Sequence, residues 1–325
     1  MRRALITGIT GQDGSYLAEF LLAKDYEVHG IFRNPDTLKT GWLAPLIADP
    51  AIHGLRLFTH AGDLEDPAGL RRILEETAPE EVYHLAGASH VGQSFANIED
   101  SCRVTAMGTL RLLTILEELK LPARFFNAST SEVFGRPAAA PQDELTPFRP
   151  VTPYGCAKAF GTQLVSIYRQ SFGLFACNGI LYNHESPRRG GNFVTQKICR
   201  AAAAIKEGRQ KELSLGNLTA QRDWGDARDY VRGMWLALQH DTPEDFVFAT
   251  GFLHSIEDLL ETAFGAAGLN WRDYVQHDPK LLRTAEPGKL VGNPEKARRL
   301  LGWERKNTFQ GLITEMTRAA FTKQD

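Results

Sequence analysis

Tyr154 and Lys158 stand four residues apart in PYGCAKAFGTQLVSIYRQSF, a stretch that reads as a long helix, so their side chains project from one face. That spacing pairs a phenol with an ammonium. A lysine beside a tyrosine favours the phenolate over a phenol whose free pKa is about 10, and Tyr154 becomes a usable base. Earlier in the chain, NASTSEVFG crowds Ser129, Thr130, Ser131 and Glu132 at the end of an apolar run. Ser129 reads as turn-forming, whereas Thr130 and Glu132, two apart, both face one side if the chain stays extended. A carboxylate beside a Tyr/Lys pair is a second acid/base. Simple alcohol oxidation does not require one, so the set hints at more than one proton transfer.

A phosphate cradle precedes them. In TGITGQDGSYLAEFLL, Gly8, Gly11 and Gly14 recur at every third residue between an apolar run and a helical stripe. Glycine there permits positive φ and close backbone approach, while the helix N-terminus offers unpaired N–H groups to a pyrophosphate. Thr10, Gln12 and Asp13 lie within this loop and join the glycines as expected cofactor contacts. NAD-binding chains usually end the second strand in an acid for the ribose 2′-hydroxyl; here GIFRN places Arg33 at that point, and arginine selects a 2′-phosphate. NADP is therefore the expected cofactor. By position, Asp63 and Leu64 after the third strand face the adenine, and Leu85, Ala86 and Gly87 after the fourth line the dinucleotide.

The elements that position these residues alternate. RRALITG, YEVHGIF, LRLFTHAGD, EEVYHLAG, ARFFNAST and FACNGILYN read as strands, separated by helices in SYLAEFLLAK, DPAGLRRILEET, TAMGTLRLLTILEEL and the Tyr154 stretch. Alternating β and α predict an α/β fold with a doubly wound parallel sheet, of Rossmann type, and a smaller C-terminal substrate-binding domain. We place the NADP-binding domain at 1–182, with returning elements near 220–252, and the largely substrate-binding domain at 183–325. Residues 34–54 form a long connection in which Trp42, Leu43, Leu46 and Ile47 argue for a packed piece, and 135–153, with five prolines, read as an extended flap. Beyond 183 the pattern loosens into basic, glycine-containing loops between helices.

A formal charge of −2 gives no net pull toward nucleic acid or anionic lipid, so neither nucleic acid nor a membrane is an expected partner. No stretch approaches about 18 apolar residues. The four cysteines form no C-x-x-C pair and fit a reducing cytoplasm, and none of the nine histidines lies three or four residues from another, so no metal site is expected.

Taken with SHV at 89–91, STSEVFG at 129–135, PYGCAK at 153–158, NGILYNHESPRRG at 178–190, NFVTQKI at 192–198 and SLGNLTAQRDWGDARDYV at 214–231, the glycine ladder resembles the GDP-mannose 4,6-dehydratases, a branch of the extended short-chain dehydrogenase/reductases. The resemblance covers nearly the whole chain. It implies Thr130, Glu132, Tyr154 and Lys158 as the catalytic set, with Tyr154 and Lys158 also touching the cofactor alongside His184 and Arg189. It implies sugar-nucleotide contacts from Ser89, Asn183, Glu185, Val194, Lys197, Gly216, Arg222, Arg283 and Glu286, with Arg188 near the cofactor or a neighbouring subunit. The implied activity is a hydro-lyase cycle converting a nucleotide sugar, GDP-mannose above others, to its 4-keto-6-deoxy form: oxidation at C4, loss of water across C5 and C6, and hydride return to C6. A homodimer or homotetramer is implied as well. Two other readings stand beside it, a sugar-nucleotide reductase or epimerase on the same scaffold and a non-catalytic NADP-sensing protein. Where the family shows a double arginine after strand two, this chain has FRNPDTLKTGW, and HLAGASHV replaces NLAAQSHV.

Overall fold

All six apolar runs become parallel strands of one sheet. The computed structural model describes residues 1–89, 91–281 and 288–322, and contains β1 (Arg3–Thr7), β2 (Glu27–Phe32), β3 (Leu57–Ala61), β4 (Glu81–His84), β5 (Arg124–Thr130) and β6 (Ala176–Leu181). A seventh strand, β7 (Phe246–Phe248), pairs parallel with β6 and comes from the returning part of the chain. The order is β3-β2-β1-β4-β5-β6-β7, so the winding reverses between β1 and β4 and opens a crevice at their carboxyl ends.

Successive strand residues point to opposite faces, and both faces are covered. Ala4, Ile6, Phe126 and Cys177 pack on one side with Leu17 and Leu21 of α1 (Gln12–Leu22). Leu5, Val82, Phe125 and Ala176 pack on the other, with Leu70 and Leu74 of α2 (Pro67–Thr77) and Leu112 and Leu116 of α3 (Met107–Glu118). α2 starts where sequence signals place it: Pro67 takes the first position and Asp66 accepts from the Gly69 N–H at 3.0 Å. α4 (Pro153–Phe172) uses the same device. Pro153 opens it, Thr152 Oγ1 accepts from the Gly155 N–H at 3.0 Å, and Gly173 ends it in a left-handed conformation. This cap fixes the helical phase that aims Tyr154 and Lys158.

A separate apolar cluster is built from α5 (Val194–Lys206), α7 (Ile256–Ala266) and α8 (Phe309–Thr322), through residues such as Ile198, Leu260, Phe264 and Ile313. Between α5 and α7, α6 (Ala227–Gln239) returns to the main sheet, burying Val231, Met234 and Leu238 in its core. The stretches read as loops beyond 183 hold short strands, with 183–185 pairing 224–226, 213–215 pairing 275–277, and 221–222 pairing 254–255. Strands of two or three residues are too short to display alternation.

The 34–54 connection is packed, as expected: it holds the short helices Asp36–Thr40 and Ala44–Ala48, and Leu38 and Leu43 are buried in the main core. The 135–153 flap is a run of bends with a turn at 144–145 rather than one extended stretch, and it is tied down by Gln142, fully buried, whose backbone N–H donates to Val291 O at 2.9 Å. Among the described residues, no helix is long and apolar enough to cross a membrane.

The three glycines at the start of α1 serve different purposes. Gly8 has φ +74° and sits against the Ala86 backbone, and a methyl on Gly14 would stand 2.3 Å from the Gly8 carbonyl oxygen. Gly11 is nearly unwalled, its nearest neighbour being Gly8 O at 3.3 Å. Gly14→Ala is therefore expected to destabilise the protein by about 1–3 kcal/mol through overpacking, seen as a lower urea midpoint, with Gly11→Ala costing less. Equal midpoints for the two variants would show that loop and helix part freely.

Candidate active site at the carboxyl edge of the sheet

A cleft of about 840 Å³ runs along the carboxyl ends of β1, β4, β5 and β6. At one end lie Gly8, Thr10, Gly11, Gln12, Asp13 and Gly14, with Arg33 exposed at the end of β2 and Asp63 and Leu64 just after β3. Leu85, Ala86, Gly87 and Ser89, following β4, form its middle, and Thr130, Glu132, Tyr154, Lys158, Asn183, His184 and Arg189 form the other end. Every residue expected to touch cofactor, and the whole expected catalytic set, thus borders one space.

The catalytic corner is built from a strand end and a helix start. β5 stops at Thr130, and the chain turns at once through a 3-10 turn, Ser131–Val133, so the strand does not stay extended as far as Glu132. Both side chains still border the cleft. Thr130 Oγ1 accepts from the Glu132 N–H at 3.3 Å and also shares a hydrogen bond with the Tyr154 phenol. Ser129 does not form a turn: it is a buried strand residue whose hydroxyl pairs with Thr162 Oγ1 at 2.6 Å. Lys158 Nζ donates to Ala128 O at 2.8 Å.

Electrostatics differ from the spacing argument in one respect. Burial, and after it the Glu132 carboxylate, push the Tyr154 phenol well above its ordinary value, while Thr130 and Arg189 pull it down. Lys158 does not offset this. Burial brings its own ammonium down to about 8, partly opposed by Asp13, and its proton is directed at the Ala128 carbonyl. The expected lowering of Tyr154 by Lys158 is therefore not achieved by the protein groups alone; desolvation dominates in so closed a corner.

His84, which sequence reasoning did not single out, lies beneath this corner. Burial, and next the Lys158 charge, bring it down to about 3, so it is neutral. The Ala86 N–H donates to Thr7 Oγ1 at 3.2 Å, and Thr7 Oγ1 lies 2.9 Å from His84 Nδ1; His84 Nε2 lies 3.1 Å from Thr109 Oγ1, which donates to Thr105 O. With Nε2 carrying the hydrogen, every donor in this row meets an acceptor. Thr105 belongs to a π-helical turn, Cys102–Ala106, at the head of α3, and its hydroxyl accepts from the Ala88 N–H at 3.1 Å. The signal in the sequence was a histidine closing a strand beside an LAG turn.

The glycine loop is clasped from the other side. His184 Nε2 lies 2.7 Å from Asp13 Oδ2, and His184 Nδ1 donates to Tyr182 O at 2.8 Å. Burial opposes both charges, but each outweighs it for the other: Asp13 falls below its ordinary value and His184 rises above its own. The clasp therefore weakens on the acid side as Asp13 is protonated and on the alkaline side as His184 loses its proton. Gln12 ties in the next residues, donating to His184 O at 3.1 Å and accepting from Ser186 Oγ at 2.8 Å. Arg188 reaches Ser15 and Glu19 of α1 and lies over the rings of Tyr16 and Trp42, so it holds the cofactor loop to the 34–54 connection within one chain.

The expected sugar-nucleotide contacts separate into two groups. Ser89 and Asn183 border the cleft. Glu185 is buried and turned inward, accepting from Thr195 Oγ1 and pairing with Arg189 Nε at 3.1 Å. Val194 packs on the C-terminal apolar cluster, Lys197 donates to Ser214 O at 3.0 Å, Gly216 lies just beyond the strand 213–215, and Arg222 Nη1 donates to Gln221 O at 2.7 Å. None of these five borders the cleft: Glu185 turns inward from the short strand whose Asn183 and His184 do, and the other four are carried by α5 and the stretch 213–222. Arg283 and Glu286 lie outside the described residues.

Comparison with known proteins agrees with this architecture. The family model described as GDP-mannose 4,6 dehydratase matches residues 5–316. The chain is 46% identical to GDP-mannose 4,6 dehydratase of Drosophila melanogaster, across 97% of this chain and 85% of that one, and 46% identical to the enzyme of that name from Homo sapiens, across 97% and 90%. Among solved structures, UDP-glucose 4-epimerase of Thermus thermophilus in complex with NAD superposes with a TM-score of 0.83 at 25% identity, covering 98% of each chain. Over nearly its full length, then, the chain belongs to the GDP-mannose 4,6-dehydratase family.

Proposed function

We propose that the protein dehydrates GDP-mannose to GDP-4-keto-6-deoxymannose with NADP as its resident cofactor. The observation that carries this reading is the meeting of Thr130, Glu132, Tyr154 and Lys158 in the same cleft as the glycine loop. The residues fit a nicotinamide dinucleotide. Gly11 leaves the helix N-terminus unwalled, the cleft is continuous from there to Tyr154, and Arg33 supplies a cation at the rim. Gly8, Thr10, Gly11, Gln12, Asp13 and Gly14 would hold the pyrophosphate, Arg33 the 2′-phosphate, Asp63 and Leu64 the adenine end, Leu85, Ala86 and Gly87 the middle, and Tyr154, Lys158, His184 and Arg189 the nicotinamide end. When bound, the oxidised cofactor supplies positive charge and takes up a hydride that it later gives back.

The chain's own groups handle the protons. Tyr154 accepts the C4 hydroxyl proton, with Thr130 orienting the oxygen and Lys158 polarising it. Glu132, across the corner, removes the C5 proton made acidic by the adjacent ketone and delivers a proton to the C6 hydroxyl as water departs; C5 regains a solvent-derived proton once C6 is reduced. Glu132 and Tyr154 disfavour each other's charge, so the corner suits taking protons one after the other. Residues 1–182 with the returning 220–252 would carry the cofactor, and 183–325 much of the sugar nucleotide, with Lys197, Gly216, Arg222, Arg283 and Glu286 engaging its nucleotide end and Glu185 and Val194 supporting them. Assembly as a homodimer or homotetramer belongs to the same reading; Phe160 and Ile167, seven apart on α4, are exposed.

Three measurements test it. In heavy water the wild-type product should weigh one water less than GDP-mannose, allowing for label, and carry deuterium at C5, while Glu132→Gln should slow elimination by about 10²–10⁴ with the fold intact. An unchanged product mass would favour an epimerase, reduction of a keto sugar a reductase, and an unchanged substrate pool the sensing protein. Arg33→Ala should weaken NADP(H) far more than NAD(H), since a guanidinium at that place pairs only with the extra phosphate; equal weakening would give Arg33 a structural role. Because burial brings Lys158 down to about 8, kcat/KM should fall on the alkaline side with a midpoint near pH 8, and that limb should vanish in Lys158→Arg. A limb unmoved by the substitution would assign it to another group.

A further inference from the structure

Glu185 carries a carboxylate into the interior without reaching the cleft. It is 1% exposed and ends the short strand 183–185, whose Asn183 and His184 do border the cleft. Burying a carboxylate is costly unless it is both paired and hydrogen-bonded. Here a single atom meets both demands: Glu185 Oε2 accepts from Thr195 Oγ1 and lies 3.1 Å from Arg189 Nε. Thr195 is in the first turn of α5, the helix that carries Val194 and Lys197, while Arg189 borders the catalytic end of the cleft. One oxygen thus joins a cation of the cleft to the helix expected to meet the sugar nucleotide.

Arg189 is held in three ways. Its Nε faces Glu185, its guanidinium lies over the Phe193 ring at 3.6 Å, and its backbone N–H donates to Ser186 O at 3.0 Å. An arginine side chain has many rotamers to lose, and fixing it beforehand removes that entropy from the step that uses its charge. Burial, the Glu132 carboxylate and, less strongly, Asp13 hold the Tyr154 phenol up; Thr130 and Arg189 pull it down, and of these two Arg189 is the cation. Lys158, which shares a helix face with Tyr154, is turned to the Ala128 carbonyl.

We infer that Glu185 is a positioning residue: it acts through Arg189, holding that guanidinium as the fixed cation of the Tyr154 corner, and Thr195 keeps Glu185 itself in place. The family resemblance assigns Glu185 to the sugar nucleotide; its inward turn adds a task at the cofactor end. Tyr154 as base and NADP as cofactor come from the dehydratase reading, on which this assignment rests.

The titration of Tyr154 in the saturated NADP complex, read as the phenolate absorbance lost on adding Tyr154→Phe, tests it. Glu185→Gln keeps the shape and removes the charge, with two opposed consequences. Were Arg189 to stay in place, losing a nearby carboxylate would lower the Tyr154 midpoint; with Arg189 released, the midpoint rises. The expected result is a rise of about one pH unit, shared by Arg189→Gln, with NADPH binding weakened about tenfold in both, the scale of one charge-assisted hydrogen bond. The double variant should match Arg189→Gln alone, because Glu185 acts through that residue. Thr195→Val should raise the midpoint by less, and it serves if Glu185→Gln has a lowered thermal midpoint. A midpoint that falls or stays, or a double variant in which the two shifts add, would overturn the assignment. Both readouts are taken without turnover, so a wild type that leaves GDP-mannose intact counts against the dehydratase reading and not against the role of Glu185. A wild type that does not bind NADPH would overturn both.

Discussion

Thr7 and His84 lie opposite one another at the ends of β1 and β4, and the functional end of the molecule depends on that register. From it follow the two contacts that bring the glycine loop against the segment after β4: the Ala86 N–H on Thr7 Oγ1, and Gly8 closed onto the Ala86 backbone. A slip of one residue would turn every side chain of the strand to the other face and set His84 where no threonine awaits it. The winding reverses between these same strands, so the crevice that admits a ligand and the row of hydrogen bonds that shapes its floor have one origin.

Desolvation sets the character of the cleft. His84 is kept neutral, the Tyr154 phenol is held up and the Lys158 ammonium is brought down, in each case first by burial. Asp13 is paired with His184, and Glu185 with Arg189. The first pair joins the glycine loop to the 183–193 segment and the second braces that segment internally, so Asp13 is positioned by a partner from a distant part of the chain.

The main sheet was legible because each of its first six strands is an apolar run bounded by glycine or polar turns, and the catalytic set because Tyr154 and Lys158 obey helical spacing. β7 was visible only as a returning element, since three residues carry no period. The corner's electrostatics were not legible: spacing shows that Lys158 and Tyr154 share a face, but not that Lys158 turns to the Ala128 carbonyl or that Glu132 stands close enough to oppose the phenolate. His84 escaped notice because its partners, Thr7 and Thr109, are far from it in sequence and polar without being charged. The inward turn of Glu185 likewise depends on Thr195 and Arg189, which only the folded chain brings to it.

Gln142 has a further bearing on how the molecule ages. Its fully buried side chain makes four hydrogen bonds, to Ala139 O, Lys289 O, Tyr182 Oη and the Val291 N–H. A proline-rich surface stretch is ordinarily where a protease first finds slack, because its backbone can be drawn into an extended cleft at little cost. Here that backbone cannot lift without breaking the three bonds to Lys289, Val291 and Tyr182 together and stranding partners on two other segments. The flap is thus poor prey for digestion, and first nicks belong to more exposed turns, such as the one around Gly54.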